Sequence, residues 1–258
     1  MRIWTGITVL AAMALAACGG GGGEQTAGID ARGNPVAVDV ISKGTITGFG
    51  SIIVNGVRYD TSTAAFDIDG DDGVQSDLSV GDVVTIQGTV NDDGTSPTAT
   101  RVTFDDAVEG PVQAIDTGAN TITVLGQLVR IDADTSFDDS ISPASIDGLA
   151  VADIVEVSGY ADNANVIQAT RVQRKAGGTL VWKLTGPASA VVANASFEIG
   201  NQLVMLNGVV PRDCNGGLAN GDLVEVKADP IPGFKSGDDL DSVRDVECEA
   251  PGLSIPDG

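Results

Sequence analysis

The stretch FDIDGDDGVQSD, residues 66–77, sets carboxylates at Asp67, Asp69 and Asp71. Hard oxygens at alternating positions are how a calcium-binding loop begins. The stretch departs from the EF-hand pattern twice. Glycine falls at the seventh position instead of the sixth, and Leu78 stands where a bidentate Glu closes the shell. It therefore reads first as a solvated acidic loop and second as a weak calcium site. The corresponding stretch further along, FDDSISPASID at 137–147, loses the alternation. The chain has no histidine. Ser–His and Cys–His nucleophile pairs are therefore impossible, and no metal shell can be completed with imidazole. No catalytic constellation is visible. The expectation is a protein that is not an enzyme and has no cofactor beyond that calcium option.

Composition narrows the partners. There are 36 Asp and Glu against 14 Lys and Arg, a net charge of −22. Phosphate recognition rests on Lys and Arg displacing counterions, so nucleic acid is excluded as an expected partner. At 4% the aromatics are too few for base-stacking platforms. The 34 glycines and many Val, Ile and Thr are the composition of short strands and tight turns.

The three cysteines divide by context. Met1 and Arg2 form a short basic start, and residues 3–14 an apolar run too short for a membrane span of about 20 residues. LAAC at 15–18 follows. It resembles the bacterial lipobox, which implies cleavage after residue 17 and diacylglycerol on the thiol of Cys18. Gly19 in place of Asp implies, by the same resemblance, transfer to an outer membrane, facing the periplasm or the surface. Residues 18–42 read as the lipidated cysteine and a flexible glycine-rich tether. Export leaves Cys214 and Cys248 in an oxidising space, and a disulfide between them is expected.

The elements that carry these residues are repeated. VRYDTSTAAF at 57–66 matches VRIDADTSF at 129–137, LSVGDVVTIQG at 78–88 matches LAVADIVEVSG at 149–159, and ATRV recurs at 99–102 and 169–172. A third copy is fainter, with LANGDLVEVKA at 218–228. This predicts repeats at 43–107 and 108–176, a divergent third at 177–250, and a disordered tail at 251–258. Each repeat reads as a first strand, a hairpin, a polar stretch, a Gly/Ala-Asp turn into an alternating strand, and a closing strand. Asn55-Gly56 fits a type I′ turn. Five or six strands in about 70 residues suit a small closed barrel of the OB-like kind. The fold class is all-β, in tandem barrels. Asp82, Asp153 and Asp222 recur at the turn and are expected to accept backbone N–H bonds. Arg101 and Arg171 recur within strands and are expected to pair with carboxylates.

The opening GTITGFGSIIVNGVRYD, the LxVGDxVxIxG turn and the closing ATRV resemble a bacterial lipoprotein family known as domain of unknown function 5666. That resemblance implies small tandem β-barrels on exported chains and supplies no activity. The expected function is a lipid-anchored cell-envelope spacer or protein-binding array, attached to the membrane through Cys18, with an envelope protein or a glycan as partner. The alternative is a ligand-binding lipoprotein, taking calcium or an oligosaccharide in a barrel groove or at 67–77.

Overall fold

Period-two alternation of apolar and polar residues, broken by Asx-Gly and Gly-Asp turns, drives this chain into short curved strands. In the computed structural model, residues 28–29, 35–36, 38–90, 96–177 and 180–249 are described. Residues 1–17, read above as a signal, Cys18, most of the stretch read as tether, and residues 251–258 lie outside the described residues. A two-stranded ribbon, β1 (Gly28–Ile29) with β2 (Pro35–Val36), comes first. Repeat 1 follows with β3 (Val38–Gly48), β4 (Ile52–Val54), β5 (Val57–Tyr59), β6 (Ala65–Ile68), β7 (Asp71–Gly73), β8 (Val83–Val90) and β9 (Thr98–Phe104). The strands run β5-β4-β3-β8-β9. A parallel bridge from Asp60 to Thr98 joins the two ends, so the sheet closes on itself. Asn55 and Gly56 both take positive φ, 53° and 76°, as the type I′ turn requires.

Repeat 2 has β10 (Val108–Asp116), β11 (Thr121–Val124), β12 (Gln127–Arg130), the short β13 (Ser136–Phe137), β14 (Ile154–Ala161) and β15 (Ile167–Arg174). Its ring is complete, with β12 and β15 parallel and every other pair in it antiparallel. Repeat 3 has β16 (Trp182–Val192), β17 (Ser196–Ile199), β18 (Gln202–Met205), β19 (Leu223–Ala228) and β20 (Val243–Cys248). It keeps the same strand order, and isolated parallel bridges, Val204 to Leu240 and Arg212 to Glu247, span its last gap. Strand order 1-2-3-5-4-1 with strands 3 and 5 parallel is the OB-like arrangement expected from the repeats.

Two expectations need correction. The first strand begins at Val38, inside the stretch read as tether. Residues 38–42 are barrel wall because each finds a ladder partner on β8, from Val38 opposite Val90 to Ser42 opposite Ile86. The polar stretch after β5 contains a second hairpin, β6–β7, which lies parallel along β9.

The cores are unequal. Repeat 1 has its own, built from Ile46, Ile52, Tyr59, Ile86, Val102 and Phe104. Repeats 2 and 3 share one continuous core. Their sheets are also joined, since β10 and β16 pair antiparallel at Val108–Leu184 and Glu109–Lys183. The insertion 230–241 is anchored by Phe234, whose ring meets Trp182 edge-on at 4.9 Å, and by buried Leu240.

Cys214 and Cys248 are joined as a disulfide, closing a 34-residue separation. In the chain-entropy picture a loop of that size contributes about 3–4 kcal/mol by restricting the unfolded chain. Cys214→Ser is therefore expected to lower unfolding stability by about that much, read from chemical denaturation. Wild type under reductant should match it; an unchanged midpoint in both would exclude a stabilising role for this bond.

Candidate functional site

The most highly charged buried region lies where the three repeats meet. It starts from the ladders. Glu156 on β14 stands opposite Glu109 on β10, Glu109 opposite Lys183 on β16, and Lys183 opposite Lys227 on β19. Direct cross-strand neighbours share a face, so these four form one charged row across the joined sheets of repeats 2 and 3. Repeat 1 covers the row from outside with the β6–β7 hairpin. At its tip Asp69 and Gly70 take φ of 55° and 87°, the pair of positive values that an Asp-Gly type I′ turn needs. The Asp69 amide donates to Phe104 O at 2.9 Å, which holds the tip against the end of β9.

Lys183 is the hub, only 3% exposed. Its Nζ lies 2.7 Å from Asp69, 3.0 Å from Glu225, 3.6 Å from Asp105 and 3.8 Å from Asp106. One ammonium thus touches repeat 1, the connector between repeats 1 and 2, and repeat 3. Lys227 donates to the Asp69 carbonyl at 2.8 Å and lies 3.3 Å from Glu225. Lys175, just past β15, donates to Glu156 at 2.6 Å and lies 3.7 Å from Glu109. Burial alone would push the Lys183 ammonium down. The carboxylates of Asp106, Asp69 and Glu225 outweigh it and hold Lys183 above the ordinary lysine range. Burial pushes the Asp106 carboxyl well above its usual value, and Lys183 offsets only part of that. Glu109 is pushed up to about 7, again by burial, with Lys175 opposing. A cavity of about 210 Å³ opens between Asp69, Asp106, Glu109, Lys175, Lys183 and Lys227.

The three carboxylates read as a loop do not converge on one another. Asp67 turns to Arg101 at 2.8 Å, Asp69 turns inward to Lys183, and Asp71 begins the return strand of the hairpin. The groups of potential metal ligands found among the described residues are Asp69, Asp106 and Glu156, and Cys214, Asp222 and Cys248. The second is occupied by the disulfide. From the sequence reading, Asp69 carries over into the first group, and Asp71 lines the cavity beside it. Asp106, Glu109, Glu156, Lys175 and Lys183 were not singled out there as a site. The signal for one of them was present: Lys183 is a lone cation inside the apolar strand VWKLTG.

A second polar contact joins repeats 1 and 2. The carboxylates of Asp82, Asp153 and Asp222 each accept the backbone N–H three residues earlier, at 2.6, 2.9 and 2.9 Å. Asp153 also pairs with Arg174 of its own repeat at 2.7 Å, whereas the other oxygen of Asp82 reaches the next repeat and meets Arg171 and the Ser158 hydroxyl, both at 3.5 Å. Gly81 beside it has φ of 100°, and a Cβ there would lie 2.9 Å from Thr170 O, so close docking of the repeats demands glycine.

Comparison with known proteins fits this geometry. The family described as domain of unknown function (DUF5666) matches residues 41–103 and again 109–173. These are the first two barrels. The chain belongs to the DUF5666 family. No curated protein matches it. Among solved structures it is similar to "drosophila Unr CSD456" at 13% identity, covering 75% of this chain and 91% of that one, with a TM-score of 0.22. A likeness that low carries no argument.

Two predictions concern how the DUF5666 barrels are held together. Lys183→Met strands buried carboxylates without their cation, a loss of about 3–5 kcal/mol. Repeat 1 should then melt apart from the joined pair, as two calorimetric transitions in place of one. A single transition at the wild-type temperature would show that Lys183 does not couple the barrels. Asp82 is held at about 6 by burial, against Ser79 N–H and Arg171, which act to lower it. Unfolded, it ionises near its ordinary value of 3.8. The folded state therefore binds more protons between these limits, and its stability falls as pH rises from about 4 to about 6. Two pH units correspond to about 3 kcal/mol. Asp82→Asn keeps an acceptor for Ser79 and should flatten that fall in a pH series of denaturation curves. An identical slope in the variant would remove Asp82 as its source.

Proposed function

We propose that this DUF5666 chain is a non-catalytic, lipid-anchored protein of the cell envelope whose barrels act as a stiff spacer or protein-binding array. The observation that carries the reading is the absence of slack between barrels. Only residues 105–107 separate β9 from β10, and residues 175–181 separate β15 from β16. Across those short connectors run the β10–β16 ladder, a shared apolar core and the Lys183 ion cluster. A tandem array without such joints would swing at each connector. A stiff array holds its far end at a fixed distance from its base. The base, in this reading, is Cys18, supported by the LAAC motif behind an apolar run. Three acyl chains bury enough methylene, at about 0.8 kcal/mol each, for lasting attachment. The partner is an envelope protein or a glycan. With a net charge of −22 the surface opposes nucleic acid. The lack of histidine supports a non-enzymatic role.

The ligand-binding alternative gains support from the cavity at the three-repeat junction, and not from residues 67–77 acting as a loop. Metabolic labelling with palmitate tests the anchored reading. Wild type should incorporate label and sediment with membranes. Cys18→Ser should lose the label and appear in the soluble fraction; equal labelling of both would overturn the anchor.

A further inference from the structure

We infer that the junction of the three barrels is a binding site for a hard divalent cation, calcium foremost, with Asp69, Asp106 and Glu156 as its protein ligands. One oxygen from each of these carboxylates lies within 4.8 Å of the others. A cation with bonds of about 2.4 Å bridges oxygens up to about that separation. The three residues are far apart in sequence, on the β6–β7 turn, the connector after β9, and β14. The site exists only when repeats 1 and 2 are docked.

Asp106 is the independent sign that something belongs there. It is 2% exposed, it lines the cavity, and neither of its carboxyl oxygens has a hydrogen-bond partner. A buried carboxylate without hydrogen bonds is costly unless a cation sits against it. Lys183, at 3.8 Å, is too far to donate a hydrogen bond. The local charge count points the same way. Asp69, Asp106, Glu109, Glu156 and Glu225 are each less than a third exposed, and Lys175, Lys183 and Lys227 face them. Five carboxyl groups face three ammoniums, so oxygen ligands outnumber the cations already there.

The two lysines nearest the ligands do not block the site. Lys183 engages Oδ1 of Asp69 and Lys175 engages Oε2 of Glu156, so each of these carboxylates keeps a second oxygen. Asp106 offers both of its own. Calcium takes six to eight oxygens, and the cavity of about 210 Å³ has room for the waters that complete the shell. Thiolate-seeking and imidazole-seeking metals are disfavoured, since every ligand is a carboxylate oxygen. The nearby ammoniums weaken the site, which places it in the range of extracellular calcium modules, Kd about 10⁻⁴–10⁻³ M. In the envelope such a cation would fasten repeat 1 to the joined pair behind it. This goes beyond the spacer reading and is tested apart from it, because Cys18→Ser leaves all three ligands in place.

The test uses the full chain in detergent. Its melting temperature is followed against calcium chloride, with potassium chloride at matched ionic strength as the screening control, and binding is measured by calorimetry. Terbium, a hard cation of similar size, gives a second readout through energy transfer from Trp182, the neighbour of Lys183 in β16. Calcium should raise the melting temperature, a chelator should reverse this, and calcium should displace terbium. Asp106→Asn should weaken binding at least tenfold, and Glu156→Gln likewise. Asp72→Asn, an exposed hairpin carboxylate outside the set, should bind as wild type. If Asp106→Asn does not fold, Glu156→Gln decides. No binding by wild type, a response matched by potassium chloride, or wild-type affinity in the folded ligand variants would each overturn the site.

Discussion

The docking of repeat 1 onto the joined pair behind it turns on one ammonium group. Lys183 sits on β16 of repeat 3, yet its nearest carboxylate is Asp69 on a hairpin of repeat 1. A chain with a net charge of −22 cannot bring three acidic barrels together without placing cations between them. It has 14 Lys and Arg for the purpose. Three lysines lie at the junction, and Arg171 lies at the seam between repeats 1 and 2. Burying Lys183 to 3% exposure would cost several kcal/mol if it stood alone. Four carboxylates within 4 Å make its charged form the favoured one. The ion cluster fixes register as much as it contributes energy, because its members come together in only one arrangement of the barrels.

The two joints in the array are of different physical kinds. Repeats 2 and 3 are joined by a ladder and a common apolar core, which no change in solution charge dissolves. Repeat 1 keeps its own core and meets the others through polar contacts: the Asp69–Lys183 pair, the Asp82–Arg171 pair and a hydrogen bond between Thr45 and Tyr160 at 3.3 Å. Most of its buried apolar residues lie inside its own barrel. What holds it to the rest is therefore charge and shape, with Gly81 allowing the close approach.

The sequence shows the barrels plainly and the junction hardly at all. The repeats, the Asn55-Gly56 turn and the recurrent Asp at positions 82, 153 and 222 are local patterns, and each has a local physical cause. Glu109, Glu156 and Lys183 become neighbours only through ladder registers, one of them between barrels. Nothing in their spacing along the chain announces this. The stretch 66–77 misled for a related reason. Its alternating Asp residues do resemble the start of a calcium loop, but Asp69-Gly70 is also a type I′ hairpin signal, and the hairpin is what forms. Alternation from Val38 onward was likewise a strand signal inside what composition marked as tether.

Asp69 shows how the two readings of that stretch meet. As one carboxylate of a solvated loop it would have weak claims on any cation. Placed at the tip of a hairpin, it is set against Asp106 and Glu156, with Asp71 on the same cavity wall. The hairpin thus converts a run of acidic residues, mutually repelling along the chain, into one carboxylate delivered to a buried cluster and others left facing Arg101 or solvent. Repeat 2 has no such hairpin: its β13 pairs with β15 alone, and its equivalent segment lacks the Asp-Gly turn. The asymmetry follows from position in the array. Repeat 1 needs an arm that reaches past its neighbour to Lys183, whereas repeat 2 already shares a sheet with repeat 3 and needs none.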